Sequence, residues 1–193
     1  MIVAGSALLL ASPLLLVALV AVRAESAGSP IYRQRRVGRG GREFDVLKLR
    51  TMVSGAEGMG AGLAISANDG RITRVGRLLR RTSFDELPNL VNVLRGEMAI
   101  IGPRPTVPEQ VARYSPRQSE RLAVRPGMTG WAQVNGRTEL PWDRRIELDL
   151  WYIENRTATL DAAILWRTLR MVFGGEGLYR SDGPAWREPP SEP

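Results

Sequence analysis

The chain has 193 residues, with 27 basic and 20 acidic side chains, a net charge of +7, and neither histidine nor cysteine. That composition excludes a disulfide framework, a thiolate or imidazole zinc site, and any mechanism that turns on His or Cys. Acid–base work must fall to carboxylates, lysine or tyrosine. A metal would be held by oxygen, which favours Mg2+ or Mn2+. The positive balance points to an anionic partner: nucleic acid, phospholipid or a phosphorylated small molecule. Lys48 is the one lysine. A position that stays lysine in an arginine-preferring chain suits a compact, mobile ammonium rather than a planar fork.

Ile2 to Val22 is an uncharged run of Leu, Val and Ala. At ~1.5 Å per residue it could just cross a ~30 Å hydrocarbon core if straight. Ser12-Pro13 in its middle works against straightness, because an interior proline removes a helical hydrogen bond. The carbonyl it frees needs a local partner, and the Ser12 hydroxyl is a candidate. A kinked spanning helix and a helix–break–helix hairpin both fit. Arg23, Arg33, Arg35, Arg36, Arg39 and Arg42 follow, which places this flank on the cytoplasmic side and near anionic headgroups.

Ile31–Val37 and Arg42–Arg50 read as strands around the turn Gly38-Arg39-Gly40-Gly41. Alternation in the second strand puts Lys48 and Arg50 on one face. Val53–Gly70, rich in Gly, Ala and Ser, reads as a mobile loop. Ile72, Val75, Leu78 and Leu79 mark a helix with Arg74, Arg77 and Arg81 on its polar face.

That helix leads to Thr82-Ser83-Phe84-Asp85-Glu86-Leu87-Pro88, the stretch around which the chain is organised. Leu87, Leu90, Val91 and Leu94 form an amphipathic stripe closed by Arg95-Gly96. Pro88 belongs in a first turn, so a helix is expected to begin near Asp85 or Glu86, with both carboxylates at its positive end. Ser83 with Glu86 also fits a capping box, a purely structural account.

Met98–Ile101 reads as a short strand. Gly102-Pro103-Arg104-Pro105 presents Arg104 from a stiffened backbone. Thr106-Val107-Pro108-Glu109 and Ser115-Pro116-Arg117-Gln118 look like helix starts. Trp131–Val134 reads as a strand, with Asn135-Gly136 as a hairpin turn. Trp142–Asn155 is a helix with Trp142, Ile146, Leu150 and Ile153 on one stripe. Asp149 shares that stripe, so it must be paired, protonated or metal-bound. A buried pair with an arginine is the structural alternative. Leu160–Phe173 is a last amphipathic helix, and the Pro- and Gly-rich tail reads as disordered.

Five stretches together resemble the bacterial sugar transferase family, the monotopic phosphoglycosyl transferases. They are Tyr32–Gly38, Lys48–Met52, Leu79–Pro88, Gly102–Pro105 and Arg125–Gly136, in family order. The Ser12-Pro13 break also matches the family's re-entrant membrane helix. The resemblance implies a mainly helical α+β fold with short hairpins and amphipathic helices lying on the membrane. It implies a re-entrant segment over 1–24, a catalytic domain over 25–175 and a tail over 176–193.

It further implies transfer of a sugar-1-phosphate from a UDP-sugar to polyprenyl (undecaprenyl) phosphate in bacterial glycan synthesis, with Mg2+ required. Asp85 and Glu86 fall on the family's catalytic and metal-binding dyad, with Asp85 as the nucleophile that forms a covalent phosphosugar intermediate. Lys48, Arg80, Arg104 and Asp149 fall on further active-site positions. Arg50 and Arg137 join them as substrate-binding candidates. Expected partners are the donor, the lipid acceptor and membrane lipids at the cytoplasmic face of the inner membrane. A homodimer is considered and nucleic acid is not expected. Family members usually carry a short basic and aromatic segment before the apolar run. Here the run starts at residue 2, so either the start codon lies upstream or the first arm is short.

Two other readings compete. A membrane-tethered nucleic-acid-binding module explains the charge but not the acidic pair, and its arginines lack aromatic interleaving. A catalytically idle scaffold of a glycan assembly complex would keep the fold without nucleotide release.

Overall fold

The computed structural model describes residues 2–59, 69–136 and 140–174. Arg137, half of the Gly- and Ala-rich loop (60–68) and the C-terminal tail lie outside the described residues. The chain opens with helix α1 (Ile2–Glu25), which is long and apolar enough to cross a membrane. The helix assignment is continuous through Ser12-Pro13, with Pro13 inside it. Pro13 cannot donate to the Leu9 carbonyl four residues back, and the Ser12 hydroxyl does so instead, at 2.7 Å.

Strands β1 (Ile31–Val37) and β2 (Glu43–Leu49) form the expected antiparallel hairpin, with Tyr32 opposite Lys48 and Arg36 opposite Phe44. Its free edge is closed by a side chain. Asn92 donates to the Asp45 carbonyl and accepts from the Leu47 amide, which satisfies backbone groups that no third strand reaches.

Helix α2 (Arg74–Arg81) is capped by Thr73, and α3 (Asn89–Leu94) follows the acidic pair. Leu78, expected on the apolar stripe of α2, is exposed instead. The capping account of the dyad fails. Ser83 adopts φ 56 in the left-handed region and makes no side-chain cap. Asp85 and Glu86 lie in a separate 3-10 turn, Phe84–Glu86, ahead of α3 rather than in its first turn. Phe84 packs beside Leu49 and Leu79, while Leu87 packs beside Leu90 and Val93. The turn between these anchors carries the two acids.

Parallel strands β3 (Ala99–Ile101) and β4 (Gly127–Thr129) join two of the sequence motifs into one unit. The Gly102 amide donates to the Thr129 carbonyl at 2.9 Å, and the Gly127 amide to the Pro103 carbonyl at 2.8 Å. A Cβ on Gly127 would lie 2.1 Å from the Gly102 nitrogen. These glycines are steric requirements of the crossing, independent of backbone handedness.

Short helices α4 (Pro108–Val111) and α5 (Pro116–Ser119) both begin with proline, and Ser115 and Gln118 form a full capping box on α5. The expected strand at Trp131–Val134 is helix α6, and Asn135-Gly136 ends it rather than turning a hairpin. The Asn135 amide donates to the Trp131 carbonyl and accepts from Arg167, while the Trp131 ring stacks on Trp151 at 5.2 Å. Helices α7 (Trp142–Glu154) and α8 (Ala158–Gly174) match the expected amphipathic segments to within a few residues.

Two apolar clusters hold the molecule together, and α1 enters both. Ala4 is buried with Phe44, Val46, Leu90, Val93 and Met98. Ala18 and Val22 are buried with Leu49 and Leu79.

Candidate active site

Glu86 is the electrostatic centre of the site. Its Oε1 accepts from Lys48 Nζ at 2.7 Å and from an Arg104 guanidinium nitrogen at 3.0 Å. Lys48 comes from β2, Glu86 from the 3-10 turn and Arg104 from the proline-stiffened loop after β3. The three residues thus arrive from three separate motifs. Burial pushes the Glu86 carboxyl up, but Lys48 and Arg104 outweigh it and hold the group well below the usual carboxylate range. Burial pushes the Lys48 ammonium down, with Glu86 pulling the other way.

Asp85 behaves oppositely. Its carboxyl has no hydrogen-bond partner among the described residues, and burial plus the neighbouring Glu86 charge push it up to about 6. Lys48, Arg80 and Arg104 partly offset that push. Adjacent acids in the same turn are therefore differentiated: Glu86 is a fixed anion and Asp85 an unengaged carboxylate. Arg80 Nε donates to Thr51 Oγ1 at 2.6 Å, so α2 and the end of β2 together bring its charge towards the dyad.

The Lys48–Met52 motif serves several elements at once. Lys48 reaches the dyad. Arg50 does not; its guanidinium donates to the Ser26 and Ala27 carbonyls just past α1, at 2.6 and 2.7 Å. It fastens the apolar helix to the hairpin. Thr51 takes Arg80, and its carbonyl accepts the Thr73 amide at the start of α2. Gly76 is tight against that carbonyl, where a Cβ would come within 2.0 Å.

Asp149 lies apart from the dyad and is 1% exposed. It pairs with the buried Arg121, whose Nε donates to Asp149 Oδ2 at 3.0 Å. Burial pushes the Asp149 carboxyl up against the pull of Arg121. Arg121 also donates to Thr106 Oγ1, to the Tyr114 hydroxyl and to the Arg104 carbonyl. The structural alternative for Asp149 is thus the one observed, and it acts on the site indirectly. Through Arg121 it fixes the backbone that presents Arg104.

Sequence reasoning missed Arg121 as this hub. The signal was Asp149 itself, an acid on an apolar stripe that had to be paired, but nothing in the chain said which arginine answers it. Among the described residues no three carboxylates cluster as a metal cage. Asp85 and Glu86 supply hard oxygen ligands of the kind Mg2+ takes one or two at a time, alongside phosphate oxygens and water. The donor set therefore fits that ion.

The chain is similar to known proteins over most of its length. The chain is 40% identical over 164 residues to the uncharacterized sugar transferase EpsL of Bacillus subtilis, covering 84% of this chain and 80% of that one. It is 42% identical over 187 residues to the UDP-glucose:undecaprenyl-phosphate glucose-1-phosphate transferase of Caulobacter vibrioides, covering 92% and 70%. It is 39% identical over 186 residues to the undecaprenyl-phosphate galactose phosphotransferase of Salmonella typhimurium, covering 89% of this chain and 39% of that one. The chain therefore spans most of some relatives and about two fifths of others. The model of the family described as bacterial sugar transferase matches residues 1–175, which include every element of the site, and the chain belongs to that family.

Proposed function

We propose that this protein is a membrane-associated phosphoglycosyl transferase. It moves a sugar-1-phosphate from a UDP-sugar to undecaprenyl phosphate and so starts the synthesis of a bacterial glycan. The observation that carries this reading is the split dyad, with Glu86 clamped by Lys48 and Arg104 and Asp85 left without a partner. Relatives named as undecaprenyl-phosphate sugar phosphotransferases support the substrate classes.

The chemistry proceeds in two displacements. An Asp85 carboxylate oxygen attacks the phosphorus that bears the sugar, the bond from that phosphorus to the bridging oxygen breaks, and UMP leaves. An oxygen of the lipid phosphate then attacks the same phosphorus. The bond to Asp85 breaks, which frees the carboxylate and yields the lipid diphosphosugar. Lys48 and Arg104 neutralise charge where the diphosphate lies, and Arg80 adds to the same field. Mg2+ held by Asp85 and Glu86 would screen the approach of one anion to another.

The membrane arrangement we propose is a shallow, re-entrant wedge with the catalytic domain on the cytoplasmic face. A helix of this length extends ~36 Å, so a vertical span would carry Ala4 to the far side of the bilayer from Val22. Yet both ends of α1 are buried against one domain. The side chains between them, Leu9, Leu10, Leu14, Leu16, Val17 and Val20, are exposed. Leu165, Trp166 and Leu169 form a second exposed apolar face on α8, with a tryptophan suited to the headgroup region.

The test is detergent-solubilised protein incubated with undecaprenyl phosphate and a panel of UDP-sugars, with UMP release as the readout. Donor alone should raise the intact mass by one phosphosugar, and Asp85→Asn should abolish that rise. Turnover by a wild-type protein that is never modified would favour direct transfer instead.

A further inference from the structure

The cleft beside the dyad has a cation that the two displacements do not use. Arg36 lies on β1, and the strand register places it on the same face as Gln34, Val46 and Lys48. It lines the cleft together with Lys48, Glu86, Arg104 and Pro105 over a floor of Val46, Met98 and Met128. Its guanidinium partners are neutral. One nitrogen donates to the Pro105 carbonyl at 3.2 Å and another to the Gln34 amide oxygen at 2.5 Å. Among the described residues it makes no ion pair. Burial and the like charge of Arg104 push it down to about 10, with Tyr32, Glu86 and Glu109 pulling the other way.

The charge balance of the cleft identifies what is missing. Among the described residues that line the cleft, Arg36, Lys48 and Arg104 carry positive charge and Glu86 is the one carboxylate, with Asp85 and Glu109 acting on these cations from beside it. An excess of partly buried cations is stabilised by an anion entering from solution. A guanidinium already fixed by two neutral acceptors keeps further N–H donors in a planar array, which suits a phosphate better than a mobile ammonium does. Pro105 links Arg36 to Arg104, so the two forks are held as neighbours across a single residue.

We propose that Arg36 is a third phosphate-binding residue of the cleft, donating to an oxygen of the diphosphate group that Lys48 and Arg104 also hold. The identification of that diphosphate as the sugar donor's rests on the transferase reading, whereas the affinity for a diphosphate does not.

The experiment therefore uses inorganic pyrophosphate as the probe, titrated into the detergent-solubilised full chain by calorimetry. Arg36→Gln should weaken pyrophosphate binding ~10-fold or more, and Arg36→Lys should lose less, since it keeps the charge without the fork. Arg156→Gln, at an exposed arginine between α7 and α8, should stay within ~2-fold and so report bulk charge alone. A second measurement needs no variant: pyrophosphate should protect Arg36 of the wild-type protein from phenylglyoxal, read by peptide mass spectrometry. Wild-type affinity in Arg36→Gln, modification of Arg36 indifferent to pyrophosphate, or no pyrophosphate binding by the wild type would each overturn the proposal. UMP release by the wild type judges the transferase reading separately.

Discussion

Burial and Glu86 push the Asp85 carboxyl from its ordinary 3.8 up to about 6, so the folded protein prefers it protonated. The sign for stability follows. The contribution is fully present below the ordinary value and is lost as pH rises through about 6. In chelated protein, Asp85→Asn should raise the Tm at pH 7.5, by about 2–4 °C for each kcal/mol recovered. That gain should shrink as pH is lowered towards 4. A variant no more stable than wild type at pH 7.5 would show that Asp85 carries no such cost. In the proposed attack Asp85 acts ionised, and Mg2+ beside it would draw its titration below that of the metal-free protein, so covalent labelling by donor should persist at pH 6 and fall only at lower pH. Arg104 makes a different demand. Pro103 and Pro105 hold it against Glu86, and Arg104→Lys replaces a fork with a point charge. We expect a loss of ~10-fold or more in kcat/KM, equivalent to about 1.4 kcal/mol of transition-state stabilisation. Wild-type kinetics in that variant would limit Arg104 to shaping its loop.

Between elements, glycine and one buried pair determine where Arg104 can be. The β3–β4 crossing brings backbone so close that a Cβ on Gly127 would overlap Gly102. Gly127→Ala should cost ~2–3 kcal/mol by denaturant titration, because backbone rather than a flexible side chain must move. Gly58→Ala, where a Cβ meets nothing within 4 Å, should be close to neutral. The Arg121–Asp149 pair braces the same loop from α7. Asp149→Asn leaves a buried guanidinium without its counter-charge and should destabilise by ~3 kcal/mol or more. Removing both partners should cost clearly less than the sum of the single losses, measured as a double-mutant cycle. Additive losses would mean that the two residues act independently.

For the whole molecule, the decisive contact is α1 against the rest of the chain. Ala4 and Ala18 seat opposite ends of the helix in separate clusters, and Arg50 ties its C-terminal end to the hairpin. A cysteine placed beside Met1 tests the resulting topology, and labelling is clean because the chain has no native cysteine. In intact cells that cysteine should resist a membrane-impermeant reagent until the cells are opened. Labelling of closed cells, with the C-terminus still protected, would establish a spanning helix and refute the wedge.

The amino-acid sequence by itself determined the elements whose causes are local. The hairpin follows from alternation around a glycine turn, α5 from its Ser115–Gln118 box, and α7 from a helical stripe that also made Asp149 conspicuous. Lys48, the acidic dyad and Arg104 stood out through residue type and the prolines around them. Tertiary structure decided what local signals leave degenerate. Ser83 and Glu86 satisfy a capping pattern, but Glu86 goes to Lys48 and Arg104, because a charge-assisted pair across elements outweighs a cap of ~1 kcal/mol. Trp131–Val134 has the composition of a strand but forms a helix, because stacking on Trp151 and the Arg167–Asn135 contact come from distant parts of the chain. Alternation placed Arg50 beside Lys48, yet Arg50 turned to the end of α1, where carbonyls without helical partners needed a donor. Which of many arginines meets Asp149, and which lines the cleft, are questions of three-dimensional proximity. One-dimensional spacing carries no information about them.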